Sequence, residues 1–143
     1  MRKYLLPLSV AAIAAMSSSA FALQASDNFQ ARITIQTSCL VVAGDLDFGN
    51  VGVIVGGETA TANVAVNCSA GTVYTLSFNP LINGVTSYNS TMANGANTVA
   101  YSAAVSAGGG TGPASFTING ILPAQATPVA GIYTDNQTLY VNY

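Results

Sequence analysis

Two pairs of residues in this chain could carry chemistry: the thiols Cys39 and Cys68, and the carboxylates Asp45 and Asp47. The cysteines are not in a C-x-x-C arrangement and the chain has no histidine, so neither a redox motif nor a Cys/His metal site has its partners. In an oxidising compartment the same thiols form one structural disulfide. Closing a loop of about 30 residues then restricts the unfolded chain by roughly 3–4 kcal/mol in the entropic model. Asp45 and Asp47, two apart on an extended segment, share a face, as a carboxylate pair for glycoside hydrolysis would need. No further group converges on them and no D-x-D-x-D-G calcium loop is present, so they read as a solvated turn. Without histidine no Ser-His-Asp triad or Cys-His pair can form. The glycines at 49, 52, 56 and 57 match neither G-x-G-x-x-G nor the lysine-bearing Walker spacing and read as turn and bulge positions. The expectation is a chain without catalysis, metal or cofactor.

The compartment that would oxidise the thiols is indicated by the first residues. Arg2 and Lys3 precede an apolar stretch from Leu5 to Met16, and small residues lead to Ala20-Phe21-Ala22. That order is the pattern of a cleaved secretory signal, residues 1–22, with Ala20 and Ala22 as the A-x-A pair. The apolar run holds Pro7 and is shorter than the roughly 20 residues of a membrane span. Beyond the cleavage point Arg32 is the single basic residue, against Asp27, Asp45, Asp47, Glu58 and Asp135. One cation cannot neutralise a phosphate backbone or bind an anionic membrane surface, so nucleic acid is excluded as a partner.

The elements that position these residues read as strands and turns. Phe29, Ala31, Ile33 and Ile35 alternate with Gln30, Arg32, Thr34 and Gln36, the period of a strand with one apolar face. Leu46 to Phe48 reads as a short strand, and Val51, Val53 and Val55 as the apolar face of another. Ala60, Ala62, Val64 and Val66 alternate through the stretch 59–68, and Tyr74, Leu76 and Phe78 share a face. Residues 81–97, rich in Asn, Gly, Ser and Thr, read as a loop with turns at Asn83-Gly84 and Asn94-Gly95. A strand follows at 98–106. Gly108-Gly109-Gly110 and Gly112-Pro113 read as a flexible connection. A short strand at Phe116 and Ile118 is closed by Asn119-Gly120, and a terminal strand ends the chain. Six to eight strands without a helical period predict an all-β sandwich.

Four motifs carry a resemblance. Cys39 follows directly on an alternating segment. Leu46-Asp47-Phe48-Gly49 comes shortly after it, Val64-Ala65-Val66-Asn67-Cys68 later, and Gly131-Ile132-Tyr133-Thr134-Asp135 precedes Leu139-Tyr140-Val141-Asn142-Tyr143 at the end. In order and spacing these resemble the "L-x-F-G", "V-x-V-x-C" and "G-x-Y-x-D … V-x-V-x-[YF]" elements of the spore coat protein U domain, the family that includes Csu-type pilins of archaic chaperone–usher pili. The middle region, Phe78 to Tyr101, is shorter than the family's and lacks its arginine.

The resemblance implies an incomplete immunoglobulin-like β-sandwich lacking its last strand, over residues 38–143, preceded by a donor-strand segment at 23–37. It implies a structural subunit of a pilus or fimbria that supports attachment and biofilm formation at the cell surface. Its implied partners are a periplasmic pilus chaperone, an outer-membrane usher and neighbouring pilin subunits. Phe29, Ala31, Ile33 and Ile35 would be the donor side chains; the alternation itself fits the domain's own first strand equally. Leu139, Tyr140, Val141, Asn142 and Tyr143 would form the strand that borders the groove and pairs with the chaperone. The alternatives are a self-assembling coat protein of the same family and a carbohydrate-binding adhesive module that folds alone.

Overall fold

A computed structural model describes residues 24–143. The expected signal segment 1–22, with Ala20 and Ala22, lies outside the described residues. The chain divides into two units, Met1–Ile33 and Thr34–Tyr143. Of the first, residues 24–33 carry no regular secondary structure and are exposed.

The second unit is all-β among the described residues. Its strands are β1 (Cys39–Ala43), β2 (Thr59–Cys68), β3 (Val73–Ser77), β4 (Ser87–Asn94), β5 (Asn97–Val105), β6 (Gly109–Thr111), β7 (Ala114–Ile121) and β8 (Tyr140–Asn142). They form a five-stranded sheet in the order β1-β2-β7-β5-β4 and a three-stranded sheet in the order β6-β3-β8. Every named pairing is antiparallel. In a constant-type immunoglobulin sandwich one sheet holds strands A, B, E and D and the other C, F and G. Here β1, β2, β7 and β5 take the places of A, B, E and D in that spatial order, and β3 and β8 take those of C and F. No strand among the described residues takes the place of G beside β8. The fold is therefore the incomplete sandwich that the motifs implied.

The core lies between the sheets. β2 turns Ala60, Ala62, Val64, Val66 and Cys68 inward and leaves every intervening residue exposed, because successive side chains of a strand point to opposite faces and one face packs on the core; its ladder partners are β1 and β7. Leu76, Val64 and Val66 are fully buried, and each such aliphatic side chain contributes about 1.5–3 kcal/mol of transfer free energy. Cys39 and Cys68 stand directly opposite each other in the β1–β2 register and are disulfide-bonded, with Cα atoms 4.0 Å apart.

Several local expectations are corrected. The alternating stretch 29–36 belongs to neither sheet; period-two patterning needs a ladder partner to become a strand. Leu46 to Phe48 is not a strand either, although Leu46 and Phe48 pack against the core. In the 51–55 stretch the buried residue is Ile54, while Val53 and Val55 are exposed. A long-range bond fixes this orientation, Ile54 N–H donating to Thr127 Oγ1 at 2.8 Å. Residues 87–94 are not loop but the strand β4, joined to β5 by the two-residue turn Gly95-Ala96. Gly95 has φ +59°, whereas Ala96 does not adopt positive φ, the sign pattern of a II′ hairpin turn.

The triple glycine contributes β6 rather than a free connection. It pairs with β3 at Val73, Tyr74 and Thr75, and a Cβ on Gly110 would lie 2.9 Å from the Tyr74 hydroxyl. Asn119-Gly120 does not close a strand, since β7 runs through it to Ile121. A Cβ at Gly120 would stand 2.7 Å from Leu46 Cδ2 and 2.8 Å from Phe48 Cζ. A glycine inside a strand here marks close approach of another segment, not a turn. The terminal strand is also shorter than expected, only Tyr140–Asn142 being laddered.

Candidate functional site

Two segments leave the sheets without becoming strands, and a cleft runs between them. One follows β1 and spans residues 44–54; the other precedes β8 and spans residues 127–139. The cleft comprises two adjoining cavities of about 730 and 520 Å³, which share Leu46, Asp47, Phe48, Met92, Ile132 and Tyr133. The first segment alternates: Leu46 and Phe48 point toward the core, while Asp45 and Asp47 are exposed. Gly120 leaves room beneath Leu46 and Phe48.

The floor is aromatic. Phe78 meets Tyr88 with ring centroids 4.6 Å apart, Tyr88 meets Tyr101 at 5.8 Å, and Tyr101 meets Phe48 at 6.1 Å, all edge-to-face. Such pairs add about 0.5–1.5 kcal/mol each beyond the area they bury. Asp135 ties the second wall to this floor. It accepts hydrogen bonds from Ser90 Oγ on β4 at 2.6 Å, from the Tyr101 hydroxyl on β5 at 2.8 Å and from Gln137 Nε2 at 2.9 Å. Burial pushes its carboxyl up, but the bonds from Ser90, Gln137 and Tyr101 outweigh burial and hold it below the usual carboxylate range. Burial pushes the Tyr101 phenol up, and its bonds to Tyr88 and Asp135 raise it further. Tyr133 donates from its hydroxyl to the Val129 carbonyl at 2.7 Å, and Ala93 and Thr134 exchange backbone bonds at 2.9 and 3.2 Å. This explains the Gly131-to-Asp135 motif: its residues pin a wall rather than react.

The walls are poor in backbone pairing. Among the described residues, 45–56 make no backbone–backbone hydrogen bond, and 127–139 make only the Ala93–Thr134 exchange. Side chains hold the first wall: Asp47 accepts from Gly49 N–H at 2.7 Å, and Glu58 accepts from Val55 and Gly56 N–H at 3.0 and 3.1 Å. Those backbone donors, Val55 first, hold the Glu58 carboxyl below its ordinary range. β8 pairs with β3 alone and β1 with β2 alone, and these two edge strands approach each other from opposite sheets. Asn142 Nδ2 on β8 and the Tyr74 hydroxyl on β3 are buried with no hydrogen-bond partner among the described residues.

The residues singled out by sequence are dispersed. Phe29, Ile33 and Ile35 are 92%, 83% and 80% exposed, and Ala31 is exposed beside them. Leu139 lines the cleft, Tyr140, Val141 and Asn142 form β8, and Tyr143 is exposed. Asp45 and Asp47 lie on the cleft's rim, and no group of three potential metal ligands occurs among the described residues. Sequence reasoning missed Ser90, Tyr88 and Tyr101 as parts of the site. Their signal, alternation of Tyr88, Ser90 and Met92, is masked by polar residues.

At the other end of β1, Ser69 holds the chain where it enters the sandwich. Its Oγ accepts from Ser38 N–H at 3.1 Å and donates to the Gln36 carbonyl at 3.1 Å, while its own N–H donates to the Ser38 carbonyl at 2.9 Å.

Compared with known proteins, the chain matches the model of the Spore Coat Protein U domain over residues 25–103, more than half its length. No curated protein and no solved structure gave a significant match.

Proposed function

The chain belongs to the Spore Coat Protein U domain family, a family of structural pilin and coat proteins, and from that premise we propose that it is a subunit of a surface pilus or fimbria that polymerises by donor-strand complementation. The observation that carries this reading is the unpartnered edge of β8 beside a cleft whose walls lack a backbone ladder. An extended segment laid in that cleft gains main-chain hydrogen bonds and fills pockets with alternate side chains. Left open, the same edge invites aggregation.

Residues 29–36 of a neighbouring subunit supply such a segment, with Phe29, Ala31, Ile33 and Ile35 entering the cleft. Before assembly a periplasmic chaperone occupies the edge, pairing along Leu139 to Tyr143, and an outer-membrane usher passes the subunit to the cell surface. Surface attachment and biofilm support follow from such a fibre. The Cys39–Cys68 bridge fits this exported route.

The test is periplasmic expression of the full chain with and without a candidate chaperone, followed by the same with residues 27–36 deleted. The expected result is soluble protein only with the chaperone, polymers from the full chain and none from the deletion. A soluble full-length monomer with a sharp thermal transition and no chaperone would overturn the proposal.

A further inference from the structure

The rim of the cleft and the candidate donor carry opposite charges. Of the four acidic side chains in residues 34–143, Glu58 and Asp135 are already engaged, by two and three hydrogen bonds respectively. Among the described residues Asp47 receives one bond from its own turn and Asp45 none. Both are exposed on the cleft's rim and alternate with the inward Leu46 and Phe48. No ion pair occurs among the described residues, and beyond the signal segment the sequence holds one cation, Arg32. Its side chain is exposed and donates to Gln30 Oε1 at 3.1 Å. Arg32 sits between Ala31 and Ile33, on the face opposite the apolar stripe.

We infer that Arg32 of one copy pairs with the Asp45/Asp47 rim of the next, setting the register in which residues 29–36 enter the cleft. The inference rests on the donor-strand reading above. A strand inserted beside 44–48 with Ala31 and Ile33 inward must turn Arg32 outward, onto the same face as Asp45 and Asp47. Directly opposed residues on one face of a strand pair have Cβ atoms about 4.5–5.5 Å apart, within reach of a guanidinium and a carboxylate. Sliding the donor by two residues keeps the apolar stripe inward but moves Arg32 by about 6.6–6.8 Å, from one carboxylate to the other or off the rim. Apolar pockets alone tolerate such a slip, and a single cation facing two carboxylates limits it. Attraction between opposite charges also raises the rate of encounter, and salt weakens it because screening lengths are about 8 Å at physiological ionic strength.

The experiment uses the full chain, purified from the periplasm as its complex with the co-expressed chaperone, with assembly followed by light scattering and denaturant-resistant ladders at low and high salt. Arg32→Glu is expected to slow assembly roughly tenfold at low salt, with the difference shrinking at high salt. Restoring the rate by adding Asp45→Lys or Asp47→Lys supports the pairing, and whichever position restores it reports the register. Arg32→Glu assembling at the unaltered rate at low salt overturns the pairing. So does a charge-dependent process that yields monomers at a rate independent of concentration, because the segment would then dock within its own chain. Ile33→Asp separates the two readings: if it leaves polymers intact, the donor-strand reading itself has failed, whereas lost polymers with an indifferent Arg32→Glu remove the ion pair alone.

Discussion

β2 and β8 are both rich in β-prone residues, yet β2 is ten residues long and β8 three. β2 lies between β1 and β7, and its alternation of buried and exposed residues is unbroken. β8 lies against β3 only, and Tyr140, Val141 and Asn142 all stay half-buried. Leu139, which continues the inward face of Val141, also packs on the core without being laddered. A strand's length is thus set by its neighbours as much as by its own residues. β8 begins at Tyr140, opposite Ser77, where β3 ends.

Substitution can break or sharpen this contrast. The largest effect is expected at the middle of the smaller sheet: Leu76→Ala removes a fully buried side chain and should cost about 2–5 kcal/mol in urea unfolding. The same change at half-buried Leu139 should cost about 1 kcal/mol, by area removed from water. Equal costs at the two positions would show that the β8 edge is as well packed as the sheet interior.

An intermediate effect is expected for Gly120→Ala, whose methyl meets Leu46 and Phe48. Overpacking costs about 1–3 kcal/mol, but both neighbours belong to a wall with no backbone ladder. The cost should fall near the lower end, and amide chemical-shift changes should concentrate in residues 44–54. Changes spread along β7 would show that the wall is the stiffer partner.

The smallest and most conditional effect concerns Asp135. Its carboxyl titrates lower in the folded protein than its ordinary value of 3.8. Its contribution is therefore complete above the unfolded value and is lost as pH falls through the folded one. Asp135→Asn should flatten that acid limb of stability, with the loss of protection in hydrogen exchange beginning in residues 131–139 and sparing β2. Simultaneous loss in β2 would make the two regions one cooperative unit.

The sequence was most legible where neighbours are complete. The 59–68 alternation, the Tyr74 and Leu76 face, the strand through 98–105 and the disulfide all match the structure, because each depends on local period or on two thiols with no other chemistry available. It was least legible around the cleft. β4 reads as loop because its inward residues include Ser90 and Asn94, and Ser90 is satisfied by Asp135, 45 positions away. Ile54 is chosen over its neighbouring valines by Thr127, 73 positions away. Asn119-Gly120 carries a turn composition for a packing reason. In each case a distant partner decides the local structure, and no periodicity encodes that partner. The motifs fared better than the pattern, since Leu46, Phe48, Tyr133, Asp135 and Leu139 all converge on the cleft.

The clamp formed by Ser69 on Gln36 and Ser38 lies one residue from a covalent bridge. If tension is applied through the N-terminal segment, the load reaches the sandwich at Cys39 and passes at once through sulfur to Cys68, bypassing the 29-residue separation between them. β1, the first wall of the cleft and β2 up to Cys68 are thereby shielded from being drawn out. Mechanical failure should start elsewhere, in the hydrogen bonds of the clamp, which can break and re-form while the bridge keeps the chain tethered.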